Sequence, residues 1–284
     1  MKAMAGEIKA GAAVLEREPA GIAGDFDRWL ERNLLRDGIV PVEGEIAPFP
    51  PADLMHNTTG LTEPRDFASH GVDFMRALER ISPRPLRTCP SILDFGVGVG
   101  RLARLFHGFG GRYVGMDVDP RHIAWVAENL AHVEAVLTAP RKPLPSPADS
   151  FDAVVSVSVF SHLSEKDHLF YLAELARVAR PGAVLLLSIH GARALERARG
   201  EARIFEMLSI PRPALDAAAA ELAAGPGYAF ILQNGHLTSA AYDYGITFVS
   251  EAYVRAVWGR WFEVAGIAVG ALHDFQDVVI LKAR

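Results

Sequence analysis

Ile92-Leu93-Asp94-Phe95-Gly96-Val97-Gly98-Val99-Gly100-Arg101 decides how this chain is read. An apolar run carrying one acid leads into three alternating glycines, and apolar residues at helical spacing follow over Arg101–Phe109. Glycine permits a tight turn and has no Cβ to keep a ligand away, while the N-terminus of a following helix offers unused N–H groups. The stretch therefore points to a bound adenosine-type cofactor, with a plain strand-to-helix connection as the alternative. Asp117 ends the next apolar run, 21 positions after Gly96, where a carboxylate accepts hydrogen bonds from two ribose hydroxyls. The dinucleotide fingerprint Gly-x-Gly-x-x-Gly is not met, because the third glycine comes one residue early and Arg101 stands in its place. Asp94 also repels a pyrophosphate and suits a cationic amino-acid group. A dinucleotide oxidoreductase is accordingly the weaker reading.

Outward from that turn, short apolar runs at Ser91–Phe95, Tyr113–Asp117, Val133–Leu137, Phe151–Val157 and Ala183–Ile189 read as strands. The helical pattern fills Arg101–Phe109, Pro120–Leu130 and Asp167–Ala179 between them, giving a βαβαβαβαβ run and a parallel sheet. Glu251–Trp261 reads as a helix, and Phe262–Val269 and Asp277–Lys282 as strands whose short link makes them antiparallel. The expected fold class is α/β: a Rossmann-like, doubly wound, seven-stranded, mostly parallel sheet with an antiparallel last strand. Residues 1–88 are expected to be a helical and extended cap, with helices at Phe26–Leu35 and Phe67–Ile81 and a proline-rich wrap at Val40–Pro51. Residues 89–284 form the core, interrupted at about 192–247 by a lid insertion in which Asn234-Gly235 signals a hairpin after Tyr228–Gln233.

The chain has 284 residues, enough for one large domain or a core with a smaller cap. A formal charge of -5 argues against a general electrostatic grip on nucleic acid or anionic lipid and favours a small-molecule partner. A single cysteine, Cys89, allows neither an intrachain disulfide nor a cysteine zinc cluster. No apolar run approaches the ~20 residues of a membrane helix, and no signal-peptide core begins the chain. A cytoplasmic protein is expected, with no membrane partner; a homodimer is compatible with the reading. Histidine spacings such as His162 and His168 do not share a helix face, so no metal is expected.

The glycine stretch followed by Val114-Gly115-Met116-Asp117 resembles the class I S-adenosylmethionine-dependent methyltransferases. So do Ser150–Ser156, like that family's fourth strand, and Arg177–Ala183, like the helix and turn entering its fifth. The resemblance implies S-adenosylmethionine as cofactor and S-adenosylhomocysteine as product. It places Gly96, Gly98 and Gly100 around the methionyl part, Asp94 near its ammonium, Asp117 on the ribose and Val118 beside adenine. Ser156 and Ser158 then border the cofactor at the end of the fourth strand. Many members carry an acid after the third strand for the adenine amine, whereas this chain has Leu137-Thr138-Ala139-Pro140, so backbone groups around Thr138 and Ala139 are expected to substitute, with Leu144 over the ring. Asp152 reads as ordering the turn before its strand.

Methyl transfer from a sulfonium mainly needs two reactants aligned and water excluded, and a hydroxyl acceptor also wants a base. Ligands collect beyond the carboxyl ends of parallel strands, so candidate bases come from the following loops and the lid. His162 is the first candidate, in Ser158-Val159-Phe160-Ser161-His162-Leu163, and His190 after the fifth strand is the second; each is also a natural structural histidine. His236, Tyr242 and Tyr244, with Asp243, form a polar and aromatic cluster in the lid. The polar segment Met55–Gly60 is placed to fold over the cofactor near the methionine carboxylate, and His273–Asp277 either faces the acceptor or is a solvated hairpin tip. A softer resemblance over Tyr244–Leu281 is to methyltransferases of saccharide pathways. The function expected is methyl transfer to a small acceptor, a sugar or natural-product intermediate, at oxygen before nitrogen; the alternative is a non-catalytic S-adenosylmethionine-binding or regulatory protein.

Overall fold

The computed structural model describes residues 21–36, 44–233 and 243–284. Strands β1 (Ser91–Phe95), β2 (Arg112–Asp117), β3 (Val133–Leu137), β4 (Phe151–Ser156), β5 (Ala179–Ile189), β8 (Phe262–Leu272) and β9 (Gln276–Ala283) form one sheet in the order β3-β2-β1-β4-β5-β9-β8. The first five run parallel, and β9 is antiparallel to both β5 and β8. The seven-stranded sheet with an antiparallel last strand is thus the one expected. A separate antiparallel pair joins β6 (Tyr228–Leu232) to β7 (Gly245–Val249).

Because strand side chains alternate faces, neighbouring residues feed two cores. Ile92, Ala153, Val155, Val184, Leu186 and Val278 pack on one face against Trp29 and Leu30 of α1 (Phe26–Asn33), Val72 and Met75 of α3 (Pro64–Ile81) and Val126 of α4 (Pro120–Asn129). Leu93, Val154, Leu185, Leu187, Val279 and Leu281 pack on the other against Leu172 and Leu175 of α5 (Glu165–Val178) and Val254 of α9 (Glu251–Val257). Runs apolar at consecutive positions are what a sheet covered on both faces requires. The helices start where side-chain caps satisfy their first N–H groups: Asp119 accepts from Arg121 N with Pro120 in the first turn, and Ser164 accepts from Asp167 N.

Two sequence expectations are corrected. Over Arg101–Phe109 only a 3-10 helix forms, Ala103–Phe106, flanked by turns. Leu102 to Phe106 are all buried, so no solvent face remains for an amphipathic helix. Arg104 turns inward instead, donating to Ala47 O at 2.6 Å and Asn33 Oδ1 at 3.3 Å, under the ring of Phe49. Secondly, β5 begins at Ala179 rather than Ala183, with a register shift opposite Phe151 and Ala153. The hairpin signal Asn234-Gly235 falls between β6 and β7, which pair antiparallel with Leu232 opposite Gly245. Asn234, Gly235, His236 and Tyr242 lie outside the described residues, as do residues 40–43 of the expected wrap.

Between β5 and β7 lie α6 (Ala192–Gly200), α7 (Ala202–Leu208) and α8 (Arg212–Ala223). With β6 and β7 they build a small core of their own, including Leu195, Leu208, Leu215, Ile246 and Phe248. Among the described residues no helix is long and apolar enough to cross a membrane.

Candidate functional site

The strand order reverses between β1 and β4, and a cavity of about 490 Å³ opens there, beyond the carboxyl ends of the parallel strands. Asp94, Gly96, Gly98, Asp117, Val118, Thr138, Ser158, His162 and Tyr244 all line it. Helix α2 (Ala52–Thr59) adds His56, Asn57 and Thr58, so the Met55–Gly60 segment does border this space, as a helix ended by Gly60 in the left-handed conformation.

The glycine turn is shaped by its neighbours. Gly96 and Gly98 have φ of 84° and 54°, and a Cβ at either would strike Val159 or Thr58 respectively. The element that follows is only the short 3-10 helix Ala103–Phe106, and most N–H groups of the glycine turn are bonded within the protein. Gly96 N and Val97 N donate to Met116 O at 2.8 and 3.0 Å, and Gly98 N donates to Asp117 Oδ2 at 2.8 Å. Asp117 thus serves the loop as well as the cavity, its Oδ1 also accepting from Asp119 N at 2.9 Å. Lone pairs remain on both oxygens for further donors.

Asp94 is 4% exposed and accepts from Tyr113 Oη at 2.8 Å. Burial pushes its carboxyl up to about 7, with the negative Asp117 adding to the effect and the Tyr113 donor and Arg101 opposing it. A buried carboxyl of this kind is poised to ionise when a cation arrives. His162 sits at another wall, in the loop after β4. Its Nδ1 lies 2.9 Å from Gly245 O, and because a carbonyl only accepts, Nδ1 carries the proton and Nε2 the lone pair of the neutral ring. The ring stacks on Tyr244 with centroids 4.8 Å apart and planes at 9°. Ser158, between them and the glycine turn, has φ of 60°, a conformation stabilised by Ser158 N donating to Ser188 Oγ at 2.7 Å and Gln276 Nε2 donating to Ser158 Oγ at 2.9 Å.

Other candidates fall elsewhere. His190 is 2% exposed, lies outside the cavity lining and packs against Phe248 and Phe275, where burial holds its ring down at about 3 and therefore neutral. Ser156 donates to Phe95 O at 2.8 Å inside the sheet, and Gly100 and Ala139 do not line the cavity. Leu144, expected over adenine, is buried in the core beneath α5. Asp152 accepts from Ser91 Oγ at 2.6 Å and pairs with Arg180 at 2.7 Å, an ordering role at the base of the strand. At the tip between β8 and β9, His273 and Asp274 are exposed, whereas Asp277 in β9 is buried and bonded to Gly270 N at 2.8 Å, and none of the three lines the cavity. Among the described residues no group of three or more histidine, cysteine, aspartate or glutamate side chains is placed to hold a metal ion.

Sequence reasoning missed Arg101, Arg121, His122, Arg141 and Tyr171 as cavity residues. For His122 a signal existed: it lies in the first turn of a helix that begins straight after Asp117, and its Nε2 stands 3.3 Å from Thr58 Oγ1. Arg141 and Tyr171 had none. Arg141 reaches the cavity because it pairs with buried Asp167, and it also reaches Asp243 at 3.3 Å, a contact across 102 positions of chain.

Residues 93–187 match the family model described as a methyltransferase domain. A protein of Mycolicibacterium smegmatis named "Probable S-adenosylmethionine-dependent methyltransferase" is 32% identical over 122 residues, 43% of this chain and 44% of that one. A Mycobacterium tuberculosis protein with the same descriptive name is 33% identical over 110 residues, 39% and 38% of the two chains. The chain thus spans under half the length of the curated relatives it matches. In fold, it is similar to the PH0226 protein of Pyrococcus horikoshii, with a TM-score of 0.55 at 16% identity over 78% of this chain and 92% of that one. It is also similar to a chain from the complex of the Trm112 methyltransferase activator of Haloferax volcanii with a methyltransferase, with a TM-score of 0.53 at 15% identity, over 83% and 99%. The glycine turn and both acids lie within the matched segment, residues 93–187, which the family model describes as a methyltransferase domain.

Proposed function

We propose that this chain transfers the methyl group of S-adenosylmethionine to a small molecule, at an oxygen first and a nitrogen second, and releases S-adenosylhomocysteine. The observation that carries the reading is that Asp94, the glycine turn and Asp117 share one cavity with His162 and Tyr244. The residues fit the family's cofactor. Glycines make the turn where a Cβ would strike the cavity-lining Val159 or Thr58, a buried acid faces the place of an ammonium, and a second acid with lone pairs to spare faces that of the ribose hydroxyls. Bound there, the cofactor supplies an electrophilic methyl on a sulfonium. Val118, Thr138 and Pro140 flank adenine, and recognition of its amine falls to backbone groups, since no acid follows β3.

His162 takes the acceptor proton at Nε2, its tautomer set by Gly245 O and its ring braced by Tyr244. Alignment and exclusion of water do the rest. Helix α2 meets the glycine turn through Thr58, and Tyr244 comes from the α6 to β7 insertion. Residues 1–88 then act as a cap and about 192–247 as a lid. A cavity of about 490 Å³ that also takes the cofactor suits a compact acceptor such as a sugar or natural-product intermediate rather than nucleic acid.

Calorimetric titration with S-adenosylmethionine, S-adenosylhomocysteine and NADH tests the cofactor, and a panel of hydroxylated and amino acceptors scored by S-adenosylhomocysteine release tests the transfer. Binding of the two sulfur compounds alone, with release dependent on a small acceptor, is expected. Tight NADH binding, or no binding of either sulfur compound, overturns the proposal.

A further inference from the structure

Arg101 directly follows the glycine turn and lines the same cavity. Its backbone and stem pack on α3, where a Cβ at Gly71 would meet Arg101 O at 2.9 Å and Cγ at 3.5 Å. Its guanidinium carbon lies 4.5 Å from the centre of the Phe74 ring, so the plane is held by stacking and not by hydrogen bonds. Among the described residues no carboxylate or carbonyl accepts from it. Three positions on, Arg104 makes the contrast: it is buried and bonded to Ala47 O and Asn33 Oδ1. The other titratable groups near Arg101 are Asp94 in the same cavity, His70 on α3 and His273 in the β8–β9 turn. Both histidines are held toward their neutral form by burial, and Asp73 stands 3.7 Å from His273. What remains is a fixed cation with unused N–H donors, sharing a cavity with a buried acid whose charge it feels.

A planar guanidinium in that state is complementary to a carboxylate, which it can hold through two parallel hydrogen bonds. An α-amino acid carries its ammonium and carboxylate on one carbon, so a site that reads both must set an acid and a base close together. Asp94 and Arg101 bracket the same five-residue turn, Gly96 to Gly100, while His162 and Tyr244 reach the cavity from the loop after β4 and from the residue before β7. We infer that Arg101 is the receptor for the carboxylate of the cofactor's amino-acid end, forming with Asp94 a two-charge clamp that distinguishes complete adenosyl amino acids from adenosyl compounds lacking the carboxylate. This rests on the reading of the cavity as an S-adenosylmethionine site.

The test is calorimetric binding of S-adenosylhomocysteine and of its decarboxylated analogue, which keeps the ammonium, to wild type, Arg101→Gln and Arg101→Lys, with thermal unfolding of each unliganded protein. Wild type is expected to prefer S-adenosylhomocysteine by about 10- to 100-fold, the range of a charge-assisted hydrogen bond. R101Q loses that preference by weakening S-adenosylhomocysteine alone, and R101K, which keeps the charge without the fork, recovers part of it. Equal loss for both ligands in R101Q means a structural role and overturns the inference, as does undiminished S-adenosylhomocysteine affinity, which would leave Arg101 to a carboxylate of the acceptor. Wild-type protein that binds neither compound overturns the cofactor reading as well, an outcome distinct from failure in the variants alone.

Discussion

The elevated Asp94 carboxyl makes cofactor binding depend on pH in a direction that can be worked out. With the group pushed up to about 7, about ten-elevenths of the unliganded protein carries neutral Asp94 at pH 6 and about one-eleventh at pH 8. An ammonium ligand pairs with the ionised form and pulls the carboxyl back down. Apparent affinity for S-adenosylhomocysteine should therefore fall about 10-fold from pH 8 to pH 6, since only the ionised fraction is competent. Binding should release about 0.9 proton at pH 6 and about 0.1 at pH 8, which calorimetry in buffers of different ionisation enthalpy reads directly. Tyr113→Phe removes the donor that holds Asp94 down, so the midpoint should move up, and Asp94→Asn should weaken binding and flatten its pH dependence. The same shift acts on folding: the folded carboxyl lies above its unfolded value, so its contribution to unliganded stability is intact below about 4 and lost as pH rises through about 7. Constant wild-type affinity from pH 6 to 8, with no buffer-dependent heat, would refute the reasoning.

Further expectations follow from other contacts. Asp117→Ala should cost about 1.5–3 kcal/mol of S-adenosylhomocysteine affinity through lost charge-assisted bonds, and unchanged binding in the same calorimetric assay removes Asp117 from the ribose. His162→Gln should slow acceptor turnover about 100- to 10,000-fold while leaving cofactor affinity intact; a loss confined to melting temperature points to packing against Tyr244 instead. Gly98→Ala should weaken cofactor binding because its Cβ meets Thr58 Cγ2, and Thr58→Ser in the same chain, which lacks that methyl but keeps the hydroxyl facing His122, should restore part of the loss. Strain of about 1–2 kcal/mol at the positive φ would remain, so the rescue is incomplete, and no rescue at all argues against that contact. Arg104→Ala should destabilise the protein by about 2–4 kcal/mol in denaturant unfolding, leaving a cavity and an unpaired Ala47 carbonyl; a change under about 0.5 kcal/mol means α1 and the 44–51 segment are not pinned through it.

Most of the sheet was legible because its central strands, β1 and β4 above all, are buried on both faces and so carry consecutive apolar residues, a signal independent of partners. Ser91–Phe95 and Val133–Leu137 have the expected bounds, and the antiparallel β9 follows from the short link before it. The segment after Gly100 was misread because its apolar spacing is helical while its burial is total: α1 and residues 44–51 cover what would have been a solvent face, and no local pattern reports that cover. The glycine turn, Asp94 and Asp117 could be found because their neighbours in sequence are their neighbours in space. His162 was found for its place after a strand, yet the same rule also raised His190, which the fold buries between Phe248 and Phe275.

What the sequence by itself determined is the parallel sheet, its turn of alternating glycines and the acid at the end of the next strand, since each is written in residues close together along the chain. The tertiary structure alone decided which polar side chains face the cavity. Thr58, Arg141 and Tyr244 come from segments far apart in sequence, and Arg101 faces that space because Gly71 and Phe74 of α3 leave it a stacking surface in place of a hydrogen-bonding partner. Such placements depend on how separate elements dock, and docking is set by side-chain volumes and paired polar groups that only the packed molecule brings together.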